Sequence, residues 1–273
     1  MARDKITLEV DPRTGVASFA NIEFFSGTMA DVLKSIERLV GRSETSLIVT
    51  PNVDHIVLAE NCHLFMKALQ RSDIALADGM PLVALCRILG ASLNRLTGAD
   101  LLPAVLAVSK DKSWRIALVG NSDASRRAAV AKSRELFPGI TIQGFDIPFL
   151  SSYDDPAGKD IIVELKQWRP SIVFMGLGAP KQELWFLAHE SSLPNAVYIG
   201  SGAAVDFWSG STARAPRIWQ SMSLEWFWRL LHEPKRLAKR YLTQDVKFLF
   251  VTIRSIRLAW QSKRIRHCSN NNI

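Results

Sequence analysis

Six short apolar runs constrain this chain more than any other feature. They are Leu47-Ile48-Val49, Ile74-Ala75-Leu76-Ala77, Ile116-Ala117-Leu118-Val119, Ile140-Thr141-Ile142, Ile172-Val173-Phe174 and Val197-Tyr198-Ile199. Each is too short for a helix, and most are apolar at successive positions. Strands buried on both faces of a parallel sheet read this way. Helical stretches separate them, at 28–41, roughly 54–70, 81–89, 99–109, 123–136, 157–168 and 181–190. Alternation at this spacing predicts βαβ units. The expected fold is α/β, a Rossmann-like layered sheet that is mostly parallel, with a basic helical appendage at its C-terminal end. A hairpin over 5–21, turning at Asp11-Pro12-Arg13-Thr14-Gly15, precedes it. At 273 residues and 48% hydrophobic, the chain can bury one large core and still carry an appendage. The expected division is a catalytic domain over 1–210 and an appendage over 211–273.

Ligands of open α/β sheets bind beyond the carboxyl ends of the strands. Five of the runs end in polar or Gly-rich sequence: Thr50-Pro51-Asn52, Asp78-Gly79, Gly120-Asn121-Ser122, Gly176-Leu177-Gly178 and Gly200-Ser201-Gly202. One such end is an ordinary turn, whereas five point to a shared site. The fourth continues through Ala179-Pro180-Lys181-Gln182-Glu183. Proline suits the first turn of a helix, where its missing N–H has no intrahelical partner. A glycine turn leading into a helix N-terminus presents N–H donors and a positive dipole end to an anion. By itself the segment reads equally as a tight βα turn. Asp78 is the sole carboxylate immediately after a strand core, which makes it a candidate base. Asp before Gly is also a common turn or cap residue, as is Asn52.

Several chemistries find no support. His55, His63, His189, His232 and His267 lack metal-ligand spacing. Cys62, Cys86 and Cys268 lie far apart, as reduced thiols of a cytosolic protein would. Gly120-Asn121-Ser122 lacks the Gly-Lys-Ser/Thr of a nucleotide triphosphate loop. Gly176-Leu177-Gly178 lacks the third glycine of a dinucleotide fingerprint, and no Gly-x-Ser-x-Gly elbow occurs. No metal and no cofactor are expected. The first residues carry no apolar signal core, and no run of 18 uncharged apolar residues occurs, so neither export nor a transmembrane helix is expected.

Charge is distributed unevenly. Residues 211–273 hold 13 of the 34 Lys and Arg and 3 of the 26 acids, a net +10, while residues 1–210 sum to −2. That asymmetry implies an anionic partner for the tail. Between 244 and 266, Lys247, Arg254, Arg257 and Arg264 share one helical face. Val246, Leu249, Phe250, Ile253, Ile256 and Trp260 fall largely on the other. This is the pattern of an interfacial helix on an anionic membrane surface. A nucleic acid is not expected, because the globular part lacks basic excess and no recognition motif appears. The Trp-rich stretch 219–228 would also suit a subunit contact, so a homo-oligomer stays open.

Taken together, these pieces resemble the WecG/TagA/CpsF glycosyltransferases (glycosyltransferase family 26). The resemblance runs in order from about residue 20 to 242. It is carried by Thr50-Pro51-Asn52, Ala77-Asp78-Gly79-Met80-Pro81, Arg95-Leu96-Thr97-Gly98-Ala99-Asp100, Gly176 to Glu183, Gly200 to Phe207, Arg214-Ala215-Pro216-Arg217 and Leu224-Glu225-Trp226. Pro234, Arg236 and Arg240-Tyr241 continue it. The resemblance implies inverting, metal-independent transfer of a sugar, such as N-acetylmannosamine or its uronic acid, from a UDP-sugar to a polyprenyl-diphosphate-linked saccharide. The place implied is the cytoplasmic face of the inner membrane, with the protein bound peripherally. It puts the general base on Asp78, pocket residues on Thr50, Asn52, Arg95 and Gln182, and tail arginines on Arg229, Arg236 and Arg240. Gly176 and Gly178 would then form the UDP side of the pocket. Two other readings are a Rossmann-type NAD(P)-dependent oxidoreductase and a nucleotide-sugar-binding module without catalysis.

Overall fold

The structure, a computed structural model, describes residues 5–147, 152, 155, 158–216, 219, 228, 231 and 246–270, with side chains to 261. Strands β1 (Leu8–Val10), β2 (Ala17–Phe19) and β3 (Ile22–Glu23) form a small antiparallel sheet. The first two are the expected hairpin. Its turn closes through Gly15 N–H donating to the Asp11 carbonyl at 2.7 Å. The third strand has two residues, too few for a period to reveal. Beyond it Phe24 bridges to Ala75 in parallel, attaching the small sheet to the edge of the large one.

The large sheet contains β4 (Ser46–Val49), β5 (Ile74–Ala75), β6 (Arg115–Gly120), β7 (Thr141–Phe145), β8 (Ile172–Gly176) and β9 (Val197–Gly200). Its order is β5-β4-β9-β8-β6-β7, and every pairing is parallel. Alternate side chains enter two separate cores, as the pleat demands. Ile116, Leu118, Ile172 and Phe174 enter one core. Ala117, Val119, Val173 and Met175 enter the other. Helices α1 (Met29–Val40), α5 (Gly98–Ser109), α6 (Asp123–Leu136) and α9 (Ala204–Ser209) cover the first. Helices α2 (Val53–Asn61), α3 (His63–Gln70), α4 (Met80–Ile88), α7 (Asp160–Trp168) and α8 (Lys181–His189) cover the second.

Two pairs of neighbouring strands send the chain to opposite sides. After β6 it enters α6 on one face, and after the adjacent β8 it enters α8 on the other. The neighbours β4 and β9 diverge in the same way, into α2 and α9. Such divergence opens a crevice beyond the strand ends.

The single helix expected over 54–70 is two. The chain breaks at Cys62, which is extended at φ −129° and ψ 100°. The Asn61 side-chain amide donates to the Val57 carbonyl at 2.8 Å, and such back-bonding competes with the helical ladder. The apolar pattern runs through this break without a gap, which is why periodicity did not reveal it.

Helix α10 (Val246–Asn270) fulfils the expected tail helix but sorts its faces differently. Among its described side chains, Phe248, Val251 and Ser255 are buried. Ser255 Oγ accepts from Leu8 N–H at 2.8 Å and donates to the Val251 carbonyl. Arg254, expected on the outward basic face, turns inward to Glu60 Oε1 at 2.7 Å. Hydropathy cannot register a carboxylate 194 residues away. Val246, Leu249, Phe250, Ile253 and Trp260 stay outside, Phe250 at 64% and Trp260 at 72% exposure. Among the described residues, no helix is long and apolar enough to cross a membrane.

Candidate active site

The carboxyl ends of β4, β5, β6, β8 and β9 converge on one cavity of about 460 Å³. This is within the size range of small-ligand sites. A larger hollow, about 650 Å³, lies between the hairpin and α2–α3. No end of the large sheet contributes to it, so the strand-end cavity is the candidate site.

Each strand end is latched to its neighbour. The Thr50 hydroxyl donates to the Gly200 carbonyl at 2.9 Å, tying β4 to β9. Asp78 N–H donates to the Pro51 carbonyl at 2.9 Å, tying β5 to β4. Gly79 follows at φ +104°, a conformation glycine alone adopts freely, and it turns the chain at once into α4. Asp78 is thereby held, half-buried, on the cavity wall. Asn52 caps α2. Its Oδ1 accepts from His55 N–H at 3.3 Å and pairs with His55 Nδ1 at 2.8 Å.

The β8 end is crowded on one side and open on the other. A Cβ on Gly176 would fall 1.7 Å from Asn121 Oδ1, so this glycine makes room for the asparagine amide. Asn121, itself at φ 58°, donates to Asp206 Oδ2 at 2.8 Å. Gly178 is left-handed at φ +75°, with open space where a side chain would be. Pro180 follows a cis peptide bond and occupies the cap position, one residue earlier than the expected first turn of α8. Gln182 N–H donates to the Gly178 carbonyl at 3.2 Å, so the turn itself uses that donor. The Gln182 side chain is buried. Its Nε2 donates to Glu183 Oε1 at 2.7 Å, and its Oε1 accepts from Gly202 N–H at 3.3 Å.

The structure thus brings Thr50, Asn52, Asp78, Gly176, Gly178 and Gln182 to one cavity. Arg95 is not among the walls. Its Nη2 lies 3.7 Å from Oδ2 of Asp100, whose N–H donates to the Thr97 cap of α5. Asp100 also holds Arg214, whose Nη2 is 2.8 Å from Oδ1. Arg229, Arg236 and Arg240 lie outside the described residues. His55, Asp54, Asn121 and Asp206 line the cavity with no role assigned from sequence. Glu183 supports it from beneath, within reach of Gln182 and His55. For Asn121 the available signal was its place just after a strand, and for Asp206 its place in the Gly200 to Phe207 stretch that carries the resemblance. Glu183 closes the Gly176 to Glu183 stretch that carries the resemblance, and for His55 there was no signal.

Among the described wall residues three are Asp and none is Lys or Arg. No group of three or more His, Cys, Asp or Glu among the described residues is placed to hold a metal ion. The described walls thus present the Asp78 carboxylate together with side-chain amides and backbone groups.

Residues 17–262 match the model of the glycosyl transferase WecG/TagA/CpsF family. Similar proteins include the N-acetylglucosaminyldiphosphoundecaprenol N-acetyl-beta-D-mannosaminyltransferases of Staphylococcus aureus strains MW2 and NCTC 8325. Each is 24% identical over 237 residues, covering 86% of this chain and 91% of the relative.

Proposed function

The chain belongs to the WecG/TagA/CpsF family of glycosyltransferases, and from that premise we propose that it moves a sugar from a UDP-sugar to a polyprenyl-diphosphate-linked saccharide. The product would feed assembly of a cell-surface polysaccharide. The relatives' names carry an N-acetylglucosaminyl-diphosphoundecaprenol acceptor and an N-acetylmannosaminyl group, which supports a lipid-linked acceptor and an amino-hexose donor here. The observation that carries the reading is Asp78, fixed at a strand end on the wall of a nucleotide-sized cavity.

In this reading Asp78 takes the proton of an acceptor hydroxyl as its oxygen attacks the anomeric carbon. Attack comes from the face opposite the leaving group, so the configuration inverts. The bond to the diphosphate oxygen breaks, and UDP departs with the electron pair. Asn52 and Gly178 lie on the walls of the same cavity.

The departing diphosphate gathers negative charge beside three aspartates, Asp54, Asp78 and Asp206. Cations must therefore come from elsewhere. The tail arginines Arg229, Arg236 and Arg240 are suited to that task, with no metal required. One such donor typically contributes about 2.7–4 kcal/mol of transition-state stabilisation. The outward apolar residues of α10 would seat the enzyme on the cytoplasmic face of the membrane, where the lipid acceptor resides.

The test is a panel of UDP-sugars offered with a synthetic prenyl-diphosphate saccharide, with and without chelator. Transfer with inversion, undiminished by chelator, is expected. Absence of transfer from every donor, or activity that needs added divalent ion, would sink this reading.

A further inference from the structure

Two buried ionisable side chains take no part in the chemistry above. His55 on α2 and Glu183 on α8 are 7% and 0% exposed, with Nε2 and Oε1 3.5 Å apart. Glu183 Oε2 and His55 Nε2 have no hydrogen-bond partner among the described residues. A buried carboxylate held this way contributes less to folding than an apolar side chain of its size would. Space-filling therefore does not explain it.

The proton positions follow from groups whose roles are fixed. Backbone N–H can only donate, so the Asn52 atom that receives His55 N–H is the carbonyl Oδ1. The same oxygen faces His55 Nδ1 at 2.8 Å, so Nδ1 must carry a proton. A neutral ring would then turn a lone pair at Nε2 toward the carboxylate. That contact is favourable only with a proton between them, on the ring or on the acid. Gln182 is fixed by the same logic. Gly202 N–H donates to its Oε1, so its amide nitrogen is the atom facing Glu183 Oε1. Gly200 leaves room for this arrangement, since a Cβ there would lie 2.9 Å from Gln182 Nε2 and 3.1 Å from Glu183 Oε1. Asp54 on the same helix, Asp78 and Asp206 are the other described carboxylates lining the cavity, and Phe65 lies against the imidazole at 5.7 Å.

We propose that His55 and Glu183 are positioning residues that share one proton and thereby fix Asn52 with its amide NH2, not its carbonyl, toward the cavity. There the amide donates to an acceptor oxygen of the bound nucleotide sugar. The second step rests on the function proposed above, whereas the proton assignment does not. Loss of the shared proton would draw the remaining ring proton from Nδ1 to Nε2, where it can face the carboxylate, and leave a lone pair at Nδ1. Asn52 would then have to flip, present its carbonyl to the ligand and give up the α2 cap.

The test has two arms on the full chain. In the first, ring-nitrogen NMR is recorded on protein labelled with 15N-histidine, and the His55 signals are assigned by their loss in His55→Asn. Expected is a protonated Nδ1 in ligand-free protein, and a proton-free Nδ1 overturns the proposal. In the second, Glu183→Gln removes the buried charge, so that neither further change strands a carboxylate. In that background His55→Asn keeps a donor near the Nδ1 position, while His55→Leu fills space without one. Calorimetric titration with UDP and with UDP-N-acetylmannosamine should show about tenfold weaker binding of at least one ligand by the leucine variant, at matched melting temperature. Equal affinities overturn the role of the Nδ1 donor. A protonated Nδ1 with no binding by any protein, wild type included, overturns the nucleotide-sugar reading and the task assigned to Asn52, and leaves the shared proton standing.

Discussion

Gly176→Ala tests whether the β8 end is glycine for its ligand or for its neighbour. A Cβ there would lie 1.7 Å from Asn121 Oδ1 and 2.4 Å from its Cγ, far inside contact distance. The asparagine amide must leave. Its departure breaks the 2.8 Å bond to Asp206 and the longer one to the Gly202 carbonyl. A hydrogen bond to a charged group contributes about 1.5–3 kcal/mol, and overpacking costs about 1–3 kcal/mol more. A loss of about 3–5 kcal/mol is expected, which for a chain near this size lowers the melting temperature by roughly 6–20 °C. The assay is thermal unfolding of wild type, Gly176→Ala, Asn121→Gly and the double variant. Asn121 is already left-handed, so glycine fits its backbone. With the amide gone, Gly176→Ala should cost less than about 1 kcal/mol, giving a coupling above about 2 kcal/mol. Additive effects would refute the reasoning. So would an unchanged melting temperature accompanied by lost UDP binding, which would give Gly176 to the ligand instead.

Asp78→Asn should bind UDP with wild-type affinity and lose turnover by about 10²–10⁴-fold, the usual contribution of a general base; wild-type turnover would remove Asp78 from that role. Replacing Leu249, Phe250 and Trp260 together by serine should leave the melting temperature unchanged, because all three are exposed. Sedimentation with anionic vesicles should fall at least about tenfold, given the apolar area each would otherwise bury in the interface; undiminished sedimentation would assign membrane binding elsewhere. Burial pushes the Cys86 thiol up to about 12, so it stays protonated at pH 8 and unreactive. Half-buried Cys62 should alkylate before Cys86 in the native protein, and equal labelling of the two by peptide mass spectrometry would contradict the packing around α4.

Much of this architecture was legible because parallel strands buried on both faces leave an uninterrupted apolar signature. Leu47-Ile48-Val49 and Val197-Tyr198-Ile199 became strands for that reason. The polar breaks after them sit where sheets of this kind bind ligands, and Thr50, Asn52, Asp78 and Gln182 do line one cavity. Other features left no trace in the sequence. Arg254 is turned inward by the carboxylate of Glu60, and ion-pair choice leaves no periodic trace. The break at Cys62 is a local hydrogen-bond competition within an unbroken apolar pattern. The pairing of His55 with Glu183 spans 128 positions and two elements, so only the folded arrangement brings it into view.

Ser255 reaches back across 247 residues to the amide of Leu8, and that bond has a consequence for biosynthesis. Ribosomes add roughly 5–20 residues each second. The hairpin therefore emerges roughly 12–50 s before the helix that covers it. During that interval the nascent hairpin has neither Phe248 and Val251 against it nor a partner from α10 for the Leu8 amide. The outward apolar stripe and the hairpin's cover arrive on the same last segment. A translation stall or premature stop before α10 would hence deprive the polypeptide of both at once.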